Sequence, residues 1–393
     1  MLSYKQKIFI DRIAGTPALV ILRFLARFLA VLLRRDHSCP QRPKAIVVAK
    51  IVGMGSILYT TLLCRSFKAR FPGTKLIYLT GRSSAELVKH VAGIDEILII
   101  EEQRVGAMIW STLRAVLALW RRGPELYFDL EVYSSWAAIL ATLSLARNRY
   151  GFFRKNVEFK KGIHTHTVFF NTRRHIAEIY SQMALLVGAA PLGDLRGAIR
   201  AEEEDRGECG RILAELGISD ERLVLVNVNT SDLLEERRWP AHRWIEYLEM
   251  AASSFPDCRF LLSGSPSEAG YVTKLYQSLS PRTRARVVNG AGAFPLPAFF
   301  GLIERCRAVV TNDSGPLHFA AALGRPITFH PQPLWRQQAV DLAKWAIKRV
   351  GGRPAAPPSL RDLRSRGLVA RFDTADVEAA LGWRPVADAA RFH

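Results

Sequence analysis

The 393-residue chain is poor in cysteine, poor in acid and lacks long uncharged apolar runs, and each shortage removes a class of protein. Its five cysteines, Cys39, Cys64, Cys209, Cys258 and Cys306, lie far apart, are odd in number and form no CxxC pair. That excludes a zinc ribbon, argues against a disulfide scaffold and suits a reducing compartment. No uncharged apolar run reaches the roughly 18 residues that a spanning helix needs. No convincing cleavage site follows the apolar N-terminal stretch, so a signal peptide is not expected. Acids number 36 against 55 Lys and Arg, a surplus of +19. The surplus points to anionic partners: nucleic acid, phosphorylated small molecules or an acidic membrane surface. No nucleic-acid module or aromatic-basic repeat is present, which sets nucleic acid aside. No carboxylates stand at metal-ligand spacing, so neither a metal nor another cofactor is expected.

What is present is ordinary globular composition, 49% hydrophobic and 23% charged, in a length that suggests about two domains at roughly 150 residues each. Residues 17–33 are strongly apolar but interrupted by Arg23 and Arg27. On a helix Arg23, Arg27 and Arg34 share one narrow arc, with Leu22, Leu25, Leu29, Leu32 and Leu33 elsewhere around the wheel. Such a basic amphipathic helix suits the plane of an anionic leaflet. The competing reading is a helix packed on the protein's own surface with its arginines outward. Residues 36–44, with Pro40 and Pro43, read as a linker.

Two α/β series follow. In the first, strands are expected at 45–51, 75–80, 96–100, 126–130 and 150–153, with helices at 57–71, 83–91, 105–120 and 134–145. Residues 165–195 read as polar and helical. In the second, strands are expected at 223–228, 259–262, 286–289, 308–311 and 327–329, with helices at 242–254, 267–279, 296–306 and 316–323. A last short helix is expected at 374–381. The fold class is α/β: two tandem Rossmann-like domains facing a cleft, which the strands' carboxyl ends line. The expected division is 1–43 for the membrane-associating helix and linker, 44–200 for the first Rossmann-like domain and 201–393 for the second.

The most informative segment runs from Ala308 through Thr311, Asn312, Asp313, Ser314, Gly315, Pro316, Leu317 and His318. A buried strand enters a polar turn, and Pro316 stands where a first helical residue belongs. The free amides and positive dipole end of that helix form an anion site apt for a diphosphate, to which His318 can donate. Gly315 lets the backbone approach the ligand. Past the strand at 223–228 lie Asn229, Thr230 and Ser231, then Arg237 and Arg238, which can neutralise phosphate or form a solvated face with Glu235 and Glu236. Ser263 and Gly264 mark another strand-end loop, suited to a nucleoside. In the first half, Gly53, Gly55 and Ser56 follow a strand, but Leu58 stands where a dinucleotide fingerprint needs its third glycine. Asp129 and Glu131 end the fourth strand and are the candidate general bases, although Asp129 can instead cap the next helix. His164 and His166 are too isolated to argue for a metal site.

These pieces, in this order, resemble glycosyltransferase family 9, the family of the lipopolysaccharide heptosyltransferases, over about residues 44–329. Thr311 to Ala321 match the family's donor-binding signature. Arg237-Arg238-Trp239-Pro240, with Trp244 following, is similar to its basic-Trp-Pro element, in which Arg237 takes the position that contacts the donor phosphate. Residues 261–266 resemble a third shared element. The resemblance implies the GT-B type architecture, with the acceptor on the first domain and the sugar nucleotide held mainly by the second. It implies a metal-independent inverting transfer from a nucleotide sugar, ADP-heptose-like, to a lipid-linked glycan of the lipopolysaccharide type. The enzyme would be cytoplasmic, peripheral on the inner face of the membrane. Two departures stand out. Gly55-Ser56 replaces the family's Gly-Asp, whose Asp is the general base, and Phe329-His330-Pro331 replaces Phe-Gly-Pro. The first departure moves the base to Glu131, ahead of Asp129, or leaves a catalytically silent sugar-nucleotide-binding protein. A nucleotide-sugar epimerase or hydrolase of the same fold is the remaining alternative.

Overall fold

The computed structural model describes residues 15, 17–24, 26, 28, 32, 36–102, 104–154, 159–172, 174–219, 222–230, 238–325, 342, 343, 345, 346 and 349. The chain divides into a unit over Met1–Ile327 and a second over Thr328–His393. In the second unit the described residues are helical, with the Arg349 guanidinium 5.5 Å from the centre of the Trp345 ring. The expected strand at 327–329 and helix at 374–381 lie outside the described residues.

The first unit holds two parallel sheets. The first contains β1 (Ala45–Ala49), β2 (Lys75–Gly81), β3 (Glu96–Ile100), β4 (Leu126–Asp129), β5 (Asn148–Phe153) and β6 (His166–Phe169), ordered β3-β2-β1-β4-β5-β6. Its register pairs Val47 with Ile77 on one side and Tyr127 on the other. Side chains alternate between two covered faces, as a doubly wound sheet requires. Ile46, Val48, Tyr78 and Phe128 enter one core; Ala45, Val47, Ile77 and Tyr127 enter the other. Helices α1 (Met54–Arg70), α2 (Ala85–Lys89), α3 (Val105–Arg122), α4 (Ser135–Leu143) and α5 (Ile176–Leu185) accompany this sheet. The β6 strand falls within the stretch expected to be helical. It is a half-exposed edge strand, and its alternating polar texture hides it from a search for apolar runs.

The second sheet is ordered β10-β7-β8-β9, from β7 (Arg222–Asn227), β8 (Cys258–Ser263), β9 (Val287–Asn289) and β10 (Ala308–Thr311). Its helices are α6 (Glu203–Glu215), α7 (Ala241–Ser254), α8 (Ala269–Gln277), α9 (Pro281–Arg284), α10 (Leu296–Arg305) and α11 (Gly315–Ala322). Helix α11 thus starts one residue before Pro316.

The halves share buried contacts. Leu87, Val88 and Val91 belong to the same apolar cluster as Cys209, Ile212 and Phe300. The His90 ring meets Phe300 edge-on at 5.1 Å. His90 Nε2 lies 2.9 Å from Asp205 Oδ2, which also accepts from the Glu202 amide at 2.8 Å. Asp205 therefore closes the capping box of α6 and ties the two halves together. Asp205→Ala is expected to cost about 1–2 kcal/mol, as losing a helix cap does. Urea unfolding measures it, and an unchanged midpoint would contradict the link.

Candidate active site

Strand order reverses once in each sheet, at β1/β4 and at β7/β10. At such a switch the connections leave in opposite directions and open a crevice at the carboxyl ends. The candidate loops of both halves fall at these two places.

At the first switch, Gly53 caps α1 with φ 97°, a left-handed conformation that a side chain resists. Glu131 Oε1 accepts from Lys50 Nζ at 2.7 Å and from the amides of Ile51 and Val52 at 2.8 and 2.9 Å. This pins the loop after β1 to the loop after β4. Glu131 Oε2 takes no hydrogen bond among the described residues. Asp129 is fully buried. Its Oδ2 accepts from Lys160 Nζ at 2.9 Å and lies 3.0 Å from His164 Nε2, while Oδ1 accepts from the Glu131 amide at 3.0 Å. Lys160 Nζ also donates to the Glu131 carbonyl. Burial works to raise the Asp129 carboxyl, yet the Lys160 charge and His164 hold it below the ordinary value. The two acids therefore differ in place: Asp129 is sealed beneath Glu131 and positions it. Ser56 Oγ donates to the Gly53 carbonyl at 2.8 Å.

At the second switch, a net of amide side chains shapes the turn. Asn227 Nδ2 lies within hydrogen-bond reach of the Asn229 carbonyl, Thr311 Oγ1 and Ser314 Oγ. Asn312 Nδ2 donates to the Asn229 carbonyl at 3.1 Å, and its Oδ1 accepts from the Trp239 amide at 3.0 Å. Arg238 donates to the Thr230 carbonyl at 3.2 Å and stacks its guanidinium 4.7 Å from the Tyr271 ring centre. Asn229 Oδ1 and Ser263 Oγ are buried with no hydrogen-bond partner among the described residues. Buried polar atoms of this kind normally have partners, so the strand ends retain donor and acceptor capacity for a ligand. At Gly264 a Cβ would stand 2.8 Å from Asn229 Nδ2, so a side chain there would crowd the same spot. Ser231 and Arg237 lie outside the described residues.

The two switch points meet. Ser314 is the N-cap of α11, and His318 lies in that helix's first turn. The His318 ring faces the first half: its Nδ1 is 3.4 Å from Tyr59 Oη, and a Cβ on Gly55 would stand 3.2 Å from its Cδ2. Tyr59 also meets the His175 ring edge-on at 4.8 Å. Burial and then the nearby Asp313 charge push the Tyr59 phenol upward. Gly53, Gly55 and Ser56 are thus brought opposite Asp313, Ser314, Gly315, Pro316, Leu317 and His318, with Thr230, Ser263 and Gly264 at the strand ends beside that turn. Sequence reasoning missed Lys50, Tyr59, Lys160 and His175. Of these, Lys50 carried a signal, a lysine at a strand end next to a glycine loop.

Residues 137–328 match the model of glycosyltransferase family 9 (heptosyltransferase). That match makes the chain similar to family 9 over just under half of its length. It is 30% identical over 121 residues to lipopolysaccharide heptosyltransferase 2 of Salmonella typhimurium, a match covering 31% of this chain and 34% of that protein. It is 36% identical over 91 residues to lipooligosaccharide heptosyltransferase 2 of Haemophilus influenzae, covering 23% and 26%. The matches thus span about a third or less of those relatives' lengths. Among solved structures, the family 9 glycosyl transferase of Veillonella parvula superposes with a TM-score of 0.65 at 19% identity, covering 74% of this chain and 81% of that one. The E. coli heptosyltransferase WaaC with ADP superposes at 0.53 and 18% identity, covering 74% and 89%. These likenesses give the fold, the two-Rossmann GT-B architecture.

The buried pair beneath Glu131 makes stability depend on pH. Burial, opposed by Asp129, lowers the His164 pKa. A histidine lowered on folding contributes stability that is full above its unfolded value of about 6.5 and is lost as pH falls below it. Asp129, also lowered, adds a second loss below about 3.9. His164→Gln is therefore expected to flatten the fall in unfolding free energy between about pH 6.5 and 5.5. An unchanged slope would count against a buried neutral His164.

Proposed function

We propose that the protein transfers a sugar, heptose by the names of its relatives, from an ADP-sugar donor to a lipid-linked glycan of the lipopolysaccharide type at the inner face of the cytoplasmic membrane. The observation that carries this is the approach of the α11 N-terminus to the start of α1, with the His318 ring set against Gly55 and Tyr59. The donor diphosphate lies against the positive end of α11, where the Gly315 amide opens the helix, with His318 and Arg237 meeting the charge that grows as the leaving group departs. The nucleoside takes the strand-end loops around Asn229 and Ser263. The acceptor enters from the first half.

Glu131 Oε2 takes the acceptor hydroxyl proton as that oxygen attacks the anomeric carbon opposite the leaving diphosphate, which inverts the configuration. Lys50 holds Glu131 Oε1 at 2.7 Å, and Ser56 cannot serve as the base because a hydroxyl holds its proton at neutral pH. The reaction balances without a further reactant: one C–O bond forms, one breaks, and the proton rests on Glu131.

Glu131→Gln is expected to lower turnover by about a hundredfold or more while calorimetry finds donor affinity unchanged. Full transfer by that variant would overturn the assignment of the base. His318→Ala is expected to lower turnover by about a hundredfold or more, in the range for losing one donor to a developing anion. Wild-type kinetics in that variant would remove His318 from the diphosphate site.

A further inference from the structure

Two surface helices on one face of the first sheet turn large apolar side chains to solvent. On α3, Trp110, Leu113, Leu117 and Trp120 form one exposed stripe, with Trp110 64% exposed. On the N-terminal helical stretch, Phe24, Phe28 and Leu32 repeat every four residues, and Phe24 is 67% exposed. Arg23, expected on the outward basic arc, instead donates to the Phe159 carbonyl at 2.9 Å. Arg27 and Arg34 lie outside the described residues.

Both helices lean on α4. Leu19 packs with Ala138, Ile139 and Ile163, and Gly15 lies against Ser135. From α3, the Thr112 hydroxyl meets Trp136, and Trp120 donates to the Leu143 carbonyl at 2.7 Å. In both cases later residues meet later positions of α4, so the three helices run in the same direction.

The charge around the stripes is of one sign. Residues 13–35 and 103–124 contain no Asp or Glu. Arg104, Arg114 and Arg121 are exposed beside the α3 stripe. No ion pair to any of them occurs among the described residues. A second copy of the chain is a poor occupant, because a two-fold contact would set this arginine row against itself. Among the described residues, no helix is long and apolar enough to cross a membrane.

We infer that α3, together with the N-terminal stretch, is a docking surface for an anionic lipid bilayer. The apolar stripes enter the acyl boundary and the arginines meet lipid phosphates. Helix α3 starts from the carboxyl end of β3, the same sheet edge that carries Lys50 and Glu131, so its Trp110 end lies toward the crevice. This last point rests on the proposed lipid-linked acceptor, whose glycan would reach the site while its tails stay in the bilayer.

The test is co-sedimentation of the full chain with vesicles of phosphatidylglycerol and phosphatidylcholine, against phosphatidylcholine alone. Wild type is expected to bind the anionic vesicles preferentially. The combined variant W110S/L113S/L117S, and separately R114E/R121E, should bind them roughly tenfold or more weakly, with unchanged thermal midpoints because the positions are exposed. Wild-type binding by both variants, or no binding by the wild type, would overturn the inference. So would a concentration-dependent dimer that the combined variant dissolves, since the stripe would then belong to a second copy. A failure of sugar transfer in solution leaves these outcomes untouched and strikes the proposed function alone.

Discussion

A parallel sheet whose strand order reverses cannot close over its own carboxyl edge at the reversal. The connections on either side leave toward opposite faces, and polar strand-end groups are left without a neighbouring strand. This chain meets that constraint twice, at β1/β4 and β7/β10, and sets the two openings against each other. Everything proposed about the site follows from that arrangement. The Lys50–Glu131 contact fixes one opening, and the Asn227, Asn229 and Asn312 net fixes the other.

The electrostatics divide the work between two acids that are neighbours in sequence. Asp129 is buried and ion-paired to Lys160. Breaking a buried pair by removing one partner is costly, which makes it a rigid support. Glu131 sits above it with one oxygen committed and the other without a hydrogen bond among the described residues. On the proposed donor side, the start of α11 offers a diphosphate the positive end of a helix dipole.

The sequence made the strands legible where they are buried on both faces, because such strands read as unbroken apolar runs: Ala45–Ala49 and Arg222–Asn227 stand close to where that signal puts them. It concealed β6, whose half-exposed edge alternates. It also marked the Asp313–His318 turn, because strand, polar turn and proline follow one another locally. What it could not show were contacts made over long separations. Lys160 is 31 residues from Asp129, and the Arg23 partner is 136 residues away. So neither the burial of Asp129 nor the inward turn of Arg23 could be read from spacing. Helical periodicity gives the faces of an isolated helix, not which face the rest of the chain will cover.

The central claim is that the positive end of α11, opening at the Gly315 amide, holds a diphosphate opposite the β1 loop. A crystal structure of the protein with ADP tests it most directly. The account predicts phosphate oxygens about 3 Å from backbone nitrogens at the start of α11, with the His318 ring beside them and the nucleoside toward Asn229 and Ser263. ADP bound elsewhere, or a diphosphate making no contact with that helix end, would contradict it.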